Sequence, residues 1–140
     1  EPDTDEARAN RVRLQAIGRE RGAEAVLQAM LPKLVGPAAH AAAAVPAQLA
    51  AIARTNTAEG VVDGLEAMKT RPDGRPGLAA IACPTLIMVG ADDALTPLSA
   101  AETLRDGIAG AQLVVIPDAG HMSNLEQPVP FALALWSFLR

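Results

Sequence analysis

Two clusters of polar residues in the C-terminal half of the chain have the types and spacing needed for acid–base chemistry. Asp92 and Asp93 follow the apolar run at 85–89, and His121 follows the apolar run at 113–116. A carboxylate that accepts a hydrogen bond from one imidazole nitrogen fixes the tautomer of the ring. The other nitrogen can then take a proton from a nucleophile. We therefore expect Asp93 to orient a base, His121.

The surrounding elements indicate how this acid and base could meet. Continuous apolar runs bounded by Pro or Gly are typical of strands buried on both faces of a parallel sheet. Between the two runs, Thr96 and Pro97 fit the N-cap and first position of a helix that ends near Gly110. The pattern predicts a right-handed βαβ unit whose two parallel strands bring Asp93 and His121 to the same edge of the sheet.

The first half of the chain has a different character. Residues 1 to about 70 show helical periodicity with no strand pattern, and Gly22 is expected to end a first helix. The segment 71–77 is dense in turn residues and marks the best internal boundary. We predict an all-helical region at 1–72 and an α/β region at 73–140. The α/β region closes with a helix after Pro128, with Trp136 in the core or at its edge.

Composition narrows the class of protein and its partners. Half of the 140 residues are apolar, the mean hydropathy is +0.19 and the formal net charge is −4. Because the basic residues form no stripe, nucleic acid is not an expected partner. No apolar stretch approaches the roughly 18 residues of a membrane span, so no membrane partner is expected. The pattern indicates neither a cofactor nor a metal.

The single cysteine is informative about the cellular compartment of the protein. Cys83 cannot form an internal disulfide and precedes an apolar run, so we predict a small buried thiol. One cysteine fits a reducing compartment, and the N-terminal residues do not resemble a signal peptide. The sequence therefore predicts a cytoplasmic protein.

The predicted sheet is too small to stand alone. Two strands with apolar faces are not stable in water, because at least three strands and a cover are normally needed. The first residue, Glu1, is also not an initiator methionine. We expect this chain to belong to a longer one, or to pair with a second copy through the open edge of its sheet.

Two motifs carry a resemblance to a known family. The pattern G-x-x-D-x-x-T-P at 90–97 follows a strand that a proline precedes, and A-G-H-x-S-N-L-E-x-P at 119–128 leads into the last helix. Together they resemble the C-terminal part of α/β-hydrolases, most of all the lactonase, esterase and haloperoxidase-like branch. The likeness covers most of residues 58–140, and residues 1–72 resemble the helical cap of that branch in composition and position.

The resemblance implies roles for particular residues. Asp93 would be the acid of a catalytic triad and His121 its general base, in an enzyme that cleaves carboxylic esters or lactones by acyl transfer. Leu95 and Met122, next to these two, are candidates for contact with the substrate. The substrate would be a small molecule.

The resemblance also reveals a departure from the family pattern. The family nucleophile is a serine in a G-x-S-x-G turn upstream of the acid, and this sequence has no such motif. Its three serines, Ser99, Ser123 and Ser137, do not fit that position. We expect the nucleophile in an upstream portion on the order of 120 residues, estimated from typical domain size.

Several alternatives stay open at this point. Asp92 could replace Asp93 as the acid. The pair Asp92–Asp93 could also be a phosphoacceptor or Mg²⁺ site of a receiver-like domain, although that needs more carboxylates and a lysine on later strands. Glu126 is expected to anchor the loop or cap the last helix, and His40 to be solvated or at a helix end. Finally, the chain could be a non-catalytic module that assembles through its strand edge.

Overall fold

All the regular elements in the first half of the chain are helices in the computed structural model, which describes all 140 residues. They are α1 (Asp5–Leu34), α2 (Pro37–Ala41), α3 (Ala44–Arg54) and α4 (Ala58–Thr70). Gly22 interrupts α1 with φ 82° and ψ 179°. Glycine tolerates this positive φ because it lacks a Cβ. The predicted helix end at Gly22 is therefore confirmed as a kink, and the second helical stretch runs on to Leu34.

The second half contains the predicted strand, helix and strand. A 3₁₀ helix (Arg75–Ala80) precedes β1 (Leu86–Gly90), α5 (Leu98–Gly107), β2 (Gln112–Ile116), the short α6 (Ser123–Glu126) and α7 (Pro128–Phe138). The two strands are parallel, in the register that pairs Leu86 with Gln112 and Gly90 with Ile116. Both α5 and α7 contact both strands. This is the α/β class that the sequence predicts.

The chain folds as two compact units. One comprises residues 1–31 and 47–74, and the other residues 32–46 and 75–140. The segment 32–46, which contains the last turn of α1 and all of α2, therefore clusters with the sheet-containing unit. No helix in the chain is both long and apolar enough to cross a membrane.

The first unit is organised around a small apolar cluster and a buried ion pair. Leu14, Val26 and Leu65 are its most buried apolar residues. The carboxylate of Asp3, whose side chain is 2% exposed, accepts hydrogen bonds from Arg11 at 3.0 Å and Arg71 at 2.9 Å. Burial alone would raise the pKa of the Asp3 carboxyl, but the two guanidinium groups outweigh it and lower the pKa below its usual value.

The core of the second unit draws on the strands, on α5 and on the segment at 32–46. Its buried apolar residues are Val35, Val89, Ala101, Ile108, Ile116 and Ala119. The chain leaves β1 through Gly90, and the Asp92 amide donates to the Ala119 carbonyl at 2.8 Å. The loops that follow β1 and β2 are thus bonded directly to each other.

Three predictions about burial are wrong. Cys83 is exposed, because it lies in the open segment between the 3₁₀ helix and β1. Trp136 on α7 is 59% exposed, with Arg140 stacked 4.9 Å from its ring. Val115 in β2 is 41% exposed, so the strands are not buried on both faces. Trp136 and Val115 share one cause, which is that two strands and their helices cannot cover every apolar face.

Candidate active site

The carboxylate of Asp93 lies at the carboxyl end of β1 and is almost closed off from solvent. Its side chain is 4% exposed. The Oδ1 atom accepts from the backbone amides of Leu95 at 2.8 Å and Thr96 at 2.9 Å. The Oδ2 atom accepts from the Thr96 hydroxyl at 2.8 Å and contacts Nδ1 of His121 at 2.9 Å. The hydrogen bonds of this carboxylate are therefore made with the short loop that contains Leu95 and Thr96 and with the imidazole of His121.

These contacts decide the charge of Asp93. Burial by itself would raise the pKa of the carboxyl. The Thr96 amide, the His121 ring, the Thr96 hydroxyl and the Leu95 amide all bond the ionised form, and together they hold the pKa below its usual value. A carboxylate that is ionised at neutral pH can accept a hydrogen bond from a ring nitrogen that carries a proton.

His121 lies at the carboxyl end of the neighbouring strand, as the parallel pairing predicts. Its Nδ1 atom is 2.9 Å from Asp93 Oδ2 and 3.2 Å from the Thr96 hydroxyl. Because the Asp93 carboxylate can only accept, the bonded tautomer carries its hydrogen on Nδ1. The Nε2 atom has no hydrogen-bond partner within the chain, and the side chain is 36% exposed. In this tautomer the Nε2 atom carries no hydrogen and is therefore available to accept one.

Thr96 has a function that its sequence position did not reveal. The prediction that it caps α5 is wrong, since Pro97 is the N-cap residue and no side chain bonds the helix end. The hydroxyl is instead taken up by Asp93 and His121. The Asx turn between Asp93 and the Leu95 amide, two residues on, brings Thr96 within reach of the same carboxylate, and this is the local signal that could have indicated the contact.

The structure also bears on the alternative roles considered for Asp92 and for the pair Asp92–Asp93. Asp92 is exposed, and its backbone amide bonds Ala119. Only β2 follows β1 in the sheet, and no group of three or more His, Cys, Asp or Glu could hold a metal. These observations do not fit a receiver-like site. Leu95 and Met122 are partly buried beside the acid and base, and His40 is exposed on α2.

Comparison with known proteins shows the family to which the chain belongs. The profile of the alpha/beta hydrolase family matches residues 2–134. The chain belongs to the alpha/beta hydrolase family. Within it, the chain is 39% identical over 108 residues to RutD of Klebsiella pneumoniae, which is assigned provisionally as a carbamate hydrolase. That match covers 74% of this chain and 40% of the relative.

Solved alpha/beta hydrolases have the same fold. A thermophilic esterase from Thermogutta terrifontis matches 99% of this chain and 52% of its own, with a TM-score of 0.86 and 34% identity. The enol-lactonase of Burkholderia xenovorans matches 91% of this chain and 49% of its own, with a TM-score of 0.78 and 28% identity. The chain thus spans about half the length of these hydrolases and less than half of its curated relative.

Proposed function

We propose that the protein containing this chain is a serine hydrolase that cleaves carboxylic esters or lactones by acyl transfer. The observation that carries the proposal is the 2.9 Å contact between Asp93 Oδ2 and His121 Nδ1, at the shared edge of two parallel strands in an alpha/beta hydrolase fold. The esterase and enol-lactonase to which the chain is similar support this substrate class.

Asp93 and His121 have different roles in the proposed reaction. The free Nε2 of His121 would remove the proton from a serine hydroxyl as its oxygen attacks the acyl carbon. Asp93 would hold the Nδ1–H tautomer and stabilise the imidazolium that forms. The same Nε2 would then donate the proton to the leaving oxygen, and a water molecule deprotonated by His121 would release the acyl group.

The serine and the oxyanion-binding groups are proposed to lie elsewhere in the complete protein. None of Ser99, Ser123 and Ser137 hydrogen-bonds to His121, and the sequence has no G-x-S-x-G motif. We also propose that residues 1–72 form a cap region and that Leu95 and Met122 line the acyl pocket. A carbamate is a further substrate candidate, since RutD is assigned to that class and carbamates react by the same acyl transfer.

The decisive experiment measures ester and lactone hydrolysis by the complete protein and its variants. Asp93→Ala and His121→Ala should each lower kcat by several orders of magnitude, since loss of the orienting carboxylate from a protease triad costs about 10⁴-fold. Asp92→Ala is the matched control and should retain activity. A fully active Asp93→Ala protein would remove Asp93 from the proposed triad.

A second candidate function is assembly through the strand edge. It is favoured by β1, which has a strand neighbour on one side only, and by exposed apolar residues on α7. Assembly would leave the hydrogen bond between Asp93 and His121 unexplained. Sedimentation of the 140-residue chain and the hydrolysis assay of the complete protein together distinguish assembly from catalysis. A stable dimer together with an inactive complete protein would favour assembly.

A further inference from the structure

The side chain of Glu126 bonds the backbone on both sides of His121. Its Oε2 atom accepts from the Gly120 amide at 3.0 Å, and its Oε1 atom accepts from the Met122 amide at 3.1 Å. Hydrogen bonds from an amide to a carboxylate are roughly twice as strong as neutral ones. The backbone amides of the residues on either side of His121 are therefore held by one carboxylate.

The same carboxylate reaches a distant part of the chain. Oε2 also accepts from the Gly36 amide at 2.7 Å, a residue 90 positions away in sequence. The Met122 amide, which donates to Glu126, also donates to the Leu34 carbonyl at 3.2 Å. A Cβ placed on Gly120 would lie 2.5 Å from the Gly36 nitrogen, so these two backbones touch. The loop that carries His121 is thus built against the turn at 34–36.

Little else constrains the imidazole of His121. The ring is 36% exposed, and its only hydrogen bonds are those of Nδ1 to Asp93 and Thr96. Apart from these two contacts, the orientation of the ring depends on where the backbone places it. A small displacement of residues 120–122 would lengthen the 2.9 Å contact with Asp93.

We propose that Glu126 is a positioning residue for His121, which keeps Nδ1 aligned with Asp93 by tying residues 120–122 to the turn at 34–36. The inference rests on the proposed function only in giving His121 the role of base. It assigns the turn at 34–36, which lies in the predicted cap region, a part in supporting the acid–base pair.

The first test observes the imidazole directly by NMR. In the complete protein labelled with ¹⁵N-histidine, the ring signals that a His121→Gln variant loses belong to His121. At mildly alkaline pH, His121 of the wild type should show a single Nδ1–H tautomer with a low-field proton. Glu126→Ala should lose that proton and mix the two tautomers. Glu59→Ala, an exposed change on α4, is the matched control and should leave the spectrum unchanged.

A second variant covers the case in which Glu126→Ala does not fold, as judged from its amide spectrum. Glu126→Gln keeps the size of the side chain, but only one of its terminal atoms can accept. It should therefore release at least one of the amides of Gly36, Gly120 and Met122, with faster hydrogen exchange there, and partly disorder the His121 tautomer. A folded variant with an unchanged His121 ring would overturn the proposal.

The second test measures hydrolysis by the complete protein. Glu126→Ala should lower kcat by about 10²-fold, the order expected for a 1 Å misplacement of a reacting group, with KM changed by less than about twofold. Equal kcat values in variant and wild type would overturn the proposal. If the wild type hydrolyses none of the esters or lactones, the proposed function fails, and the NMR result still decides whether Glu126 positions His121.

Discussion

Asp93 keeps a negative charge in a place that water hardly reaches, and its own loop makes this possible. Its side chain is 4% exposed. Two amides and one hydroxyl from Leu95 and Thr96 satisfy the carboxylate before His121 adds the last bond. The cost of removing this charge from water is offset by charge-assisted hydrogen bonds, which is the usual condition for a buried carboxylate.

This environment makes stability depend on pH in a definite direction. Because the pKa of Asp93 is lower in the folded chain than its usual value, the carboxylate stabilises the fold above the usual Asp pKa. That contribution is lost as the pH falls through the lowered pKa. Asp93→Asn should cost about 1–3 kcal/mol at pH 7 and progressively less below about pH 4.

Urea unfolding of the wild type and of Asp93→Asn at pH 7, 4 and 3 measures the difference in their free energies of unfolding. Asp92→Asn is the control, since Asp92 is the exposed neighbour of Asp93 and its substitution should change the free energy of unfolding little. A gap between wild type and Asp93→Asn that stays constant with pH would contradict the assignment of a lowered pKa to Asp93.

At the scale of the elements, the site depends on a close crossing of two loops. A Cβ on Gly90 would overlap the carbonyl oxygens of both Ala119 and Gly120. These are backbone atoms that cannot rotate away. The end of β1 can therefore approach the His121 loop only because residue 90 has no side chain. The hydrogen bond from the Asp92 amide to Ala119 depends on the same approach.

Gly90→Ala should force the two loops apart. We expect a loss of about 2–3 kcal/mol in the free energy of unfolding, in the upper range for overpacking, and the loss of the low-field His121 proton. Gly77→Ala is the matched control in the same unit, since a Cβ there meets nothing within 4 Å. Thermal unfolding and one-dimensional proton NMR measure both effects, and a Gly90→Ala variant as stable as Gly77→Ala would show that the crossing is not tight.

At the scale of the whole molecule, the chain exposes surfaces that a finished sheet protein would cover. Val129, Leu133 and Trp136 recur at helical spacing on α7 and are 66%, 64% and 59% exposed. The chain also spans only about half of the hydrolases whose fold it shares. We therefore expect the remainder of the complete protein to pack on this face of α7 and to extend the sheet from β1.

A charge placed on α7 tests this expectation. Leu133→Asp should change the stability of the 140-residue chain little, because Leu133 is exposed there. In the complete protein it should cost about 2–3 kcal/mol, the value of burying a leucine side chain. Val12→Asp on α1 is the control, at 53% exposure. Equal effects of Leu133→Asp in the chain and in the complete protein would show that this face stays uncovered.

The sequence by itself was enough for most of the elements and for the sheet edge at which Asp93 and His121 meet. Apolar runs bounded by Pro and Gly located β1 and β2, helical periodicity located the longer helices, and Gly22 marked the kink in α1. The short helices α2 and α6 were not predicted. The residues that follow parallel strands could be expected at one edge, so the meeting of Asp93 and His121 was predictable. These features depend on local patterns, which the order of residue types records directly.

Only the tertiary structure decided which groups hold that pair in place. The Thr96 hydroxyl bonds Asp93 and His121 and does not cap α5. The Glu126 carboxylate bonds Gly36, 90 residues away in the sequence. The exposure of Trp136 likewise depended on which other layers were available to cover it. A periodic pattern specifies that a side chain faces a neighbour but not which one, because the identity of that neighbour is set by how distant segments pack together.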